Sequence, residues 1–186
     1  MVLADLTIRL DVDTELRLPR EEDAQVVFDL IDRERDRFEP WMEWVHSFHT
    51  VEHEMEFIRT RLAQHAVGSA IQFFVWHQGR IAGSTGTVVI DRENEAAEIG
   101  YMVFREFEGT GLAYRSVQAL IRHLIEVEGI HRIVAKVMPA NTRSNDLIRR
   151  LGFTYEGIQR ETYKLRGRYE DLEIHSILAD EWRGIA

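Results

Sequence analysis

The sequence contains no cysteine, which excludes a disulfide framework, a thiolate metal site and a cysteine nucleophile together. Proline occurs three times, and no Pro/Gly/Ser linker, internal repeat or low-complexity tract divides the 186 residues. One domain, large enough to bury a substantial core, is the expectation. No apolar run approaches the ~20 residues needed to cross a bilayer as a helix. The start, Met1-Val2-Leu3-Ala4-Asp5-Leu6, carries acid where a signal peptide carries base, so a cytoplasmic location is expected. A basic excess is missing too. The chain has 23 Lys and Arg against 32 Asp and Glu, a formal charge of -9, and lysine stands only at Lys136 and Lys164. Nucleic acid is therefore not an expected partner, since phosphate backbones need a basic face. An acidic surface attracts cationic molecules such as polyamines or basic polypeptide termini, or simply supports solubility.

What remains is an ordered alternation of strand and helix patterns. Thr14 to Pro19 alternates like a strand and stops at the proline. Arg20 to Arg37 reads as a helix, with Ala24, Val27, Phe28 and Ile31 on one face and Glu21, Glu22 and Asp23 in its first turn. A second helix is expected over about Thr50 to Gln64, with Thr50 as N-cap. Ala70 to His77 and Arg80 to Ile90 form strands joined by a tight Gln78-Gly79 turn, and Glu95 to Phe104 is a third. Gly111 to Glu128 is a helix with Leu112, Val117, Leu120, Leu124 and Val127 on one face. His131 to Met138 is a strand, Thr142 to Leu151 a short helix closed by Gly152, and two strands hinged at Arg166-Gly167 finish the chain. The order predicts an α/β (α+β) fold with largely antiparallel pairing.

The most informative segment is Glu108-Gly109-Thr110-Gly111-Leu112-Ala113, between a strand and a long helix. Glycines there let a ligand approach the backbone, and the free N–H groups of a helix start favour phosphate. No Lys-Ser/Thr pair follows, so it is not a Walker motif; the third glycine and later acid of a dinucleotide fingerprint are also missing. Alone, two glycines before a helix are a tight turn.

Its neighbours add meaning. The run Ala97-Glu98-Ile99-Gly100-Tyr101 … Gly109-Thr110-Gly111-Leu112-Ala113 resembles the acyl-CoA motif of the GNAT N-acyltransferase superfamily, whose Gln/Arg-x-x-Gly-x-Gly/Ala wraps the CoA pyrophosphate. Asn141 to Phe153 resembles the second half of that motif, and Trp41-Met42-Glu43-Trp44 resembles the tryptophan-rich loop of the RimJ/RimL branch, which acetylates ribosomal-protein N-termini. The resemblance runs from about Leu16 to Trp182. It implies a single GNAT-like domain: a mixed, mostly antiparallel sheet of about seven strands, splayed at its centre and flanked by four helices. It implies acetyl-CoA as cosubstrate, no metal, and an amine acceptor, either a protein N-terminus or a small polyamine. A homodimer is compatible with the family, and no membrane partner is expected.

Carried onto this chain, the resemblance assigns cofactor contacts to Met102, Val103, Phe104, Gly109, Thr110, Gly111, Leu112, Ala113, Asn141 and Ser144. Glu98 matches the catalytic glutamate of histone-acetylating relatives and would act through water; its alternative is a solvent-facing or arginine-paired carboxylate. The tyrosine that commonly serves as acid falls at Ile148, which shifts that role to Ser144, with Tyr163 as a further candidate; for Ser144 the alternative is helix capping. Trp41 and Trp44 are read as a substrate wall and Glu43 as a contact for a cationic substrate. Glu108 departs from the family's Gln/Arg, and its charge should weaken CoA binding or leave it unchanged. His46, His49 and His53 lie near Glu52, Glu54 and Glu56, and are read as unliganded. A non-catalytic acyl-CoA-binding module is the alternative from a different functional class.

Overall fold

Eight strands build one sheet in the order β1-β2-β3-β4-β5-β6-β8-β7, described for residues 6–184 of a computed structural model. The acidic start at Met1–Asp5, read above as lacking a signal sequence, lies outside the described residues. The strands are β1 Thr7–Arg9, β2 Thr14–Arg17, β3 Gln72–His77, β4 Arg80–Asp91, β5 Ala96–Val103, β6 Arg132–Val137, β7 Thr154–Leu165 and β8 Arg168–Leu178. The count exceeds the seven expected because β1 was missed: three residues with an exposed–intermediate–exposed pattern leave too short an alternation to read. Gln78 and Gly79 both take positive φ, 49° and 74°, as the tight β3–β4 hairpin requires.

All pairings are antiparallel except β5–β6. That parallel pair runs only from Ala96↔Arg132 to Ile99↔Ala135. Beyond it β5 continues to Val103 along β4, while Lys136 and Val137 stay with β8, so the two central strands diverge. Opposite the end of this seam β4 is irregular: Thr87 pairs with Ile99 and Val89 with Glu98, leaving Val88 as an extra residue.

Among the described residues there are five α-helices where four were expected. The expected helix from Arg20 to Arg37 divides into a 3-10 turn (Glu21–Asp23), α1 Ala24–Arg33 and α2 Arg35–Phe38. Glu34 breaks it with φ -113° and ψ 20°. The Arg35 guanidinium donates to the carbonyls of Val45 and Phe48, and so ties the break to the following 3-10 turn, Glu43–Ser47. Tertiary bonds override local propensity there. The others are α3 Val51–Ala66, α4 Leu112–Glu126 and α5 Thr142–Arg150. α4 buries Leu112, Val117, Leu120, Ile121 and Leu124 against β4 and β5, each such side chain contributing ~1.5–3 kcal/mol. Val127, expected on this face, lies past the helix end and is exposed. The core continues through Ile58, Ile71, Phe73, Phe104, Ile133 and Ile148. No described helix is long and apolar enough to cross a membrane.

Candidate active site

The glycine turn and the divergence of β5 from β6 open on one cleft of about 850 Å³. Its walls come from three parts of the chain: Phe38 at the end of α2 with Trp41 and Met42 after it; Tyr101 to Val103 with the glycine turn; and Asn141 to Ser144 at the start of α5.

Gly109 and Gly111 have φ of 73° and 76°, the left-handed region that favours glycine. A Cβ at either would meet nothing within 4 Å, so the backbone conformation, not crowding, demands glycine, and the space before it is open. Gly111 is the N-cap of α4 and offers no side-chain acceptor to the first turn. The amide of Arg115 reaches the Gly111 carbonyl at 3.1 Å, whereas those of Leu112, Ala113 and Tyr114 donate to no protein acceptor among the described residues. Unpaired amides at the positive end of a 15-residue helix suit an anion. Thr110 turns its hydroxyl inward to the Phe107 carbonyl at 2.7 Å and is absent from the cleft wall; it braces the turn.

At the far end, Asn141 caps α5 by accepting the Ser144 amide at 3.2 Å. The next residue, Asn145, is buried. It donates to the Met138 carbonyl at 3.2 Å, and its Oδ1 faces Nε2 of the buried His175 at 3.2 Å. These bonds fix the helix start and with it Ser144. The Ser144 hydroxyl is thereby held 2.6 Å from the Tyr101 hydroxyl. Burial pushes the Tyr101 phenol up to about 12 against the opposing hydrogen bond from Ser144, so the pair stays protonated at neutral pH.

Other expected residues fall elsewhere. Met102 and Val103 line the cleft, whereas the Phe104 side chain is buried in the core and its amide is bonded to the Ala82 carbonyl at 3.0 Å. Glu98 is on the strand face opposite Ile99 and Tyr101, and its carboxylate pairs with Lys136 at 2.8 Å. The partner is lysine, not the arginine considered from sequence. Trp41 forms cleft wall; Trp44 instead packs edge-on against Phe48, ring centroids 5.2 Å apart. Glu43 is tied to the last hairpin, one carboxylate oxygen accepting the Arg166 backbone amide at 2.7 Å. Tyr163 donates nothing to the cleft: its hydroxyl accepts the Glu43 amide at 2.8 Å. Ile148 is wholly buried in the hydrophobic core. His49 and His53 are joined by a bond from the His49 amide, and no described group of three His, Cys, Asp or Glu is placed to hold a metal.

Residues 13–154 match the model of the acetyltransferase (GNAT) domain. The chain belongs to the GNAT acetyltransferase family. Relatives of this GNAT chain include the putative ribosomal N-acetyltransferase YdaF of Bacillus subtilis (strain 168), 27% identical over 179 residues, 96% of this chain and 98% of the relative. The ribosomal-protein-serine acetyltransferase of Escherichia coli (strain K12) is 25% identical over 94% and 97% of the two chains. Among solved structures, RimL, the ribosomal L7/L12 alpha-N-protein acetyltransferase in complex with coenzyme A, superposes with a TM-score of 0.91 at 27% identity, covering 95% of this chain and 99% of that one. The microcin C7 self-immunity acetyltransferase MccE, in complex with acetyl-CoA and AMP, gives 0.89 at 27% identity over 92% and 95%.

The GNAT cleft also contains groups the sequence did not disclose. Tyr101 carries a hydroxyl to Ser144 from a strand 43 residues earlier, and Arg37 enters from α2. In the sequence Tyr101 stands in the motif run Ala97 to Tyr101, which marks its place beside the turn and not its contact with Ser144.

Proposed function

We propose that this acetyltransferase moves the acetyl group of acetyl-CoA directly to an amine, and that the acceptor is the α-amine of a protein N-terminus. The observation that carries the reading is the Tyr101–Ser144 hydroxyl pair at 2.6 Å, set in the same cleft as the open glycine turn. The open amides and splayed strands fit a diphosphate and an extended thioester arm. The amine attacks the thioester carbonyl, and the carbon–sulfur bond breaks. Ser144 protonates the departing thiolate as it takes the Tyr101 proton across their hydrogen bond, and Tyr101 regains a proton from solvent, so both hydroxyls are restored at the end of the turnover. Direct transfer suits a chain with no cysteine to hold an acyl group.

The proton of the amine must also leave. Glu98 is the proposed base; because it lies across β5 from Tyr101 and pairs with Lys136, it would take the proton through water from an amine that enters on its own face of the strand. Acid and base catalysis would each contribute about 10²–10⁴-fold, with positioning supplying the rest. The Ile148 departure does not favour a non-catalytic module, because the hydroxyl lost there is matched by the pair at Tyr101 and Ser144. Against a polyamine acceptor stands the ion pair that the Arg166 guanidinium makes with Glu39 beside the tryptophan loop.

Thiol release from acetyl-CoA is the test, with a peptide bearing a free N-terminal serine compared against spermidine. Turnover with the peptide supports the reading. Turnover with spermidine alone moves the acceptor to polyamines, and CoA binding without turnover on either overturns direct catalysis.

A further inference from the structure

Glu108 stands where the family pattern carries Gln or Arg, and by charge alone it should repel a diphosphate. The structure surrounds it with cations. Its Oε1 accepts from Arg37 Nη2 at 2.6 Å and its Oε2 from Arg143 Nη1 at 2.9 Å. The two arginines come from α2 and α5, 71 and 35 residues away. Arg37 is fixed from several sides: Nη2 also donates to the Val103 carbonyl at 2.9 Å, and Nη1 to Glu34, which in turn accepts the Arg105 amide. Arg143 is 82% exposed, and Glu108 is its one protein partner among the described residues.

We propose that Glu108 is a positioning residue that holds the Arg37 and Arg143 guanidiniums over the glycine turn, where they bind the diphosphate of CoA. This rests on the acyl-CoA reading above. Both arginines line the cleft together with Gly109, Gly111 and Leu112. A free arginine samples many rotamers, and that freedom is lost when it grips a ligand; a carboxylate that has already ordered it removes the loss. Arg143 spends Nη1 on Glu108, leaving Nε and Nη2 for a second acceptor. A planar donor fork then meets phosphate oxygens that the helix amides reach from the other side. The donor that the family places at this position is supplied here by side chains from two other elements.

The rival account, a tolerated charge mismatch, makes the opposite prediction for Glu108→Gln. Calorimetry with CoA on the full chain distinguishes them, using wild type, E108Q, R143A and the double variant, with pantetheine as a ligand that lacks the diphosphate. The expected result is about tenfold weaker CoA binding for R143A and about three- to tenfold for E108Q. The double variant should fall little below R143A alone, because the two changes break one unit. Pantetheine binding should not change. CoA binding by E108Q as tight as wild type, or tighter, overturns the positioning role. A wild-type protein that binds no CoA overturns the acyl-CoA reading and this proposal with it. R143A alters an exposed side chain, so an unchanged melting temperature keeps its binding result interpretable.

Discussion

The Tyr101 hydroxyl stands 2.6 Å from Ser144 Oγ, joining the end of β5 to the start of α5 across the divergence of the central strands. Ser144→Ala should lower kcat with a peptide acceptor about 100-fold and leave the CoA dissociation constant within about threefold. Tyr101→Phe should lower kcat by about tenfold, since Ser144 remains as a hydroxyl near the sulfur. Steady-state kinetics beside calorimetry separates the two effects. Equal losses in binding and turnover would count against an acid role.

Because burial holds the Tyr101 phenol at about 12, its proton remains in place across the range of an ordinary assay. A raised acid pKa keeps the protonated form as pH rises, so kcat should show no alkaline decline from this group between about pH 7 and 10. A pH–rate profile of wild type checks it. A decline that Tyr101→Phe abolishes would place the titration far below that value.

Gly111→Asp should remove CoA binding. At φ 76° the aspartate adopts a left-handed conformation that disfavours it by about 1–2 kcal/mol, and its carboxylate projects into the open space before the amides. Gly111→Ala places only a methyl there and should bind more tightly than Asp by about tenfold or more. Calorimetry of both variants separates charge from backbone strain.

Glu54 on α3 is 2% exposed, its Oε1 has no partner, and burial pushes its carboxyl up to about 8. The folded value lies above the unfolded one, so stability is fully present below about pH 4.5 and declines as pH rises toward 8. Glu54→Gln should flatten that decline. Melting temperatures from pH 5 to about 9 test it, and parallel slopes for both proteins would rule Glu54 out as the cause.

Arg166 binds Glu43 through its backbone amide, and His46 and Glu39 through its guanidinium at 2.8 and 3.0 Å. Arg166→Ala should loosen the hairpin tip's hold on the tryptophan loop by removing the His46 and Glu39 contacts, while the backbone bond to Glu43 stays. The acceptor KM should rise about two- to tenfold with CoA binding unchanged, and the melting temperature should barely move, as exposed ion pairs contribute ~0–1 kcal/mol.

The readable part of this protein was local. Gly109, Gly111, the α5 cap at Asn141 and the strand at Ala97 to Tyr101 all announce themselves within a few residues, and they placed the cleft. The unreadable part was pairwise and distant. Nothing near Arg37 marks it as the partner of Glu108, and nothing near Lys136 marks it as the partner of Glu98. Glu43 reads as an exposed acid until the hairpin at Arg166 folds onto it. Burial behaves likewise: Ile148 shares its helix with Ser144, but only the packed α5 turns one to the core and the other to the cleft.

The brief parallel seam between β5 and β6 has a mechanical consequence. Paired at Ala96, Ala97, Glu98 and Ile99, these strands join a five-stranded plate to a three-stranded plate by four residue pairs. Whatever lies in the gap beyond Ile99 is therefore wedged between two plates and can tie them together. Backbone amides at the end of β5 should then exchange with solvent more slowly when CoA is present, and occupancy would be written into the stiffness of the whole sheet.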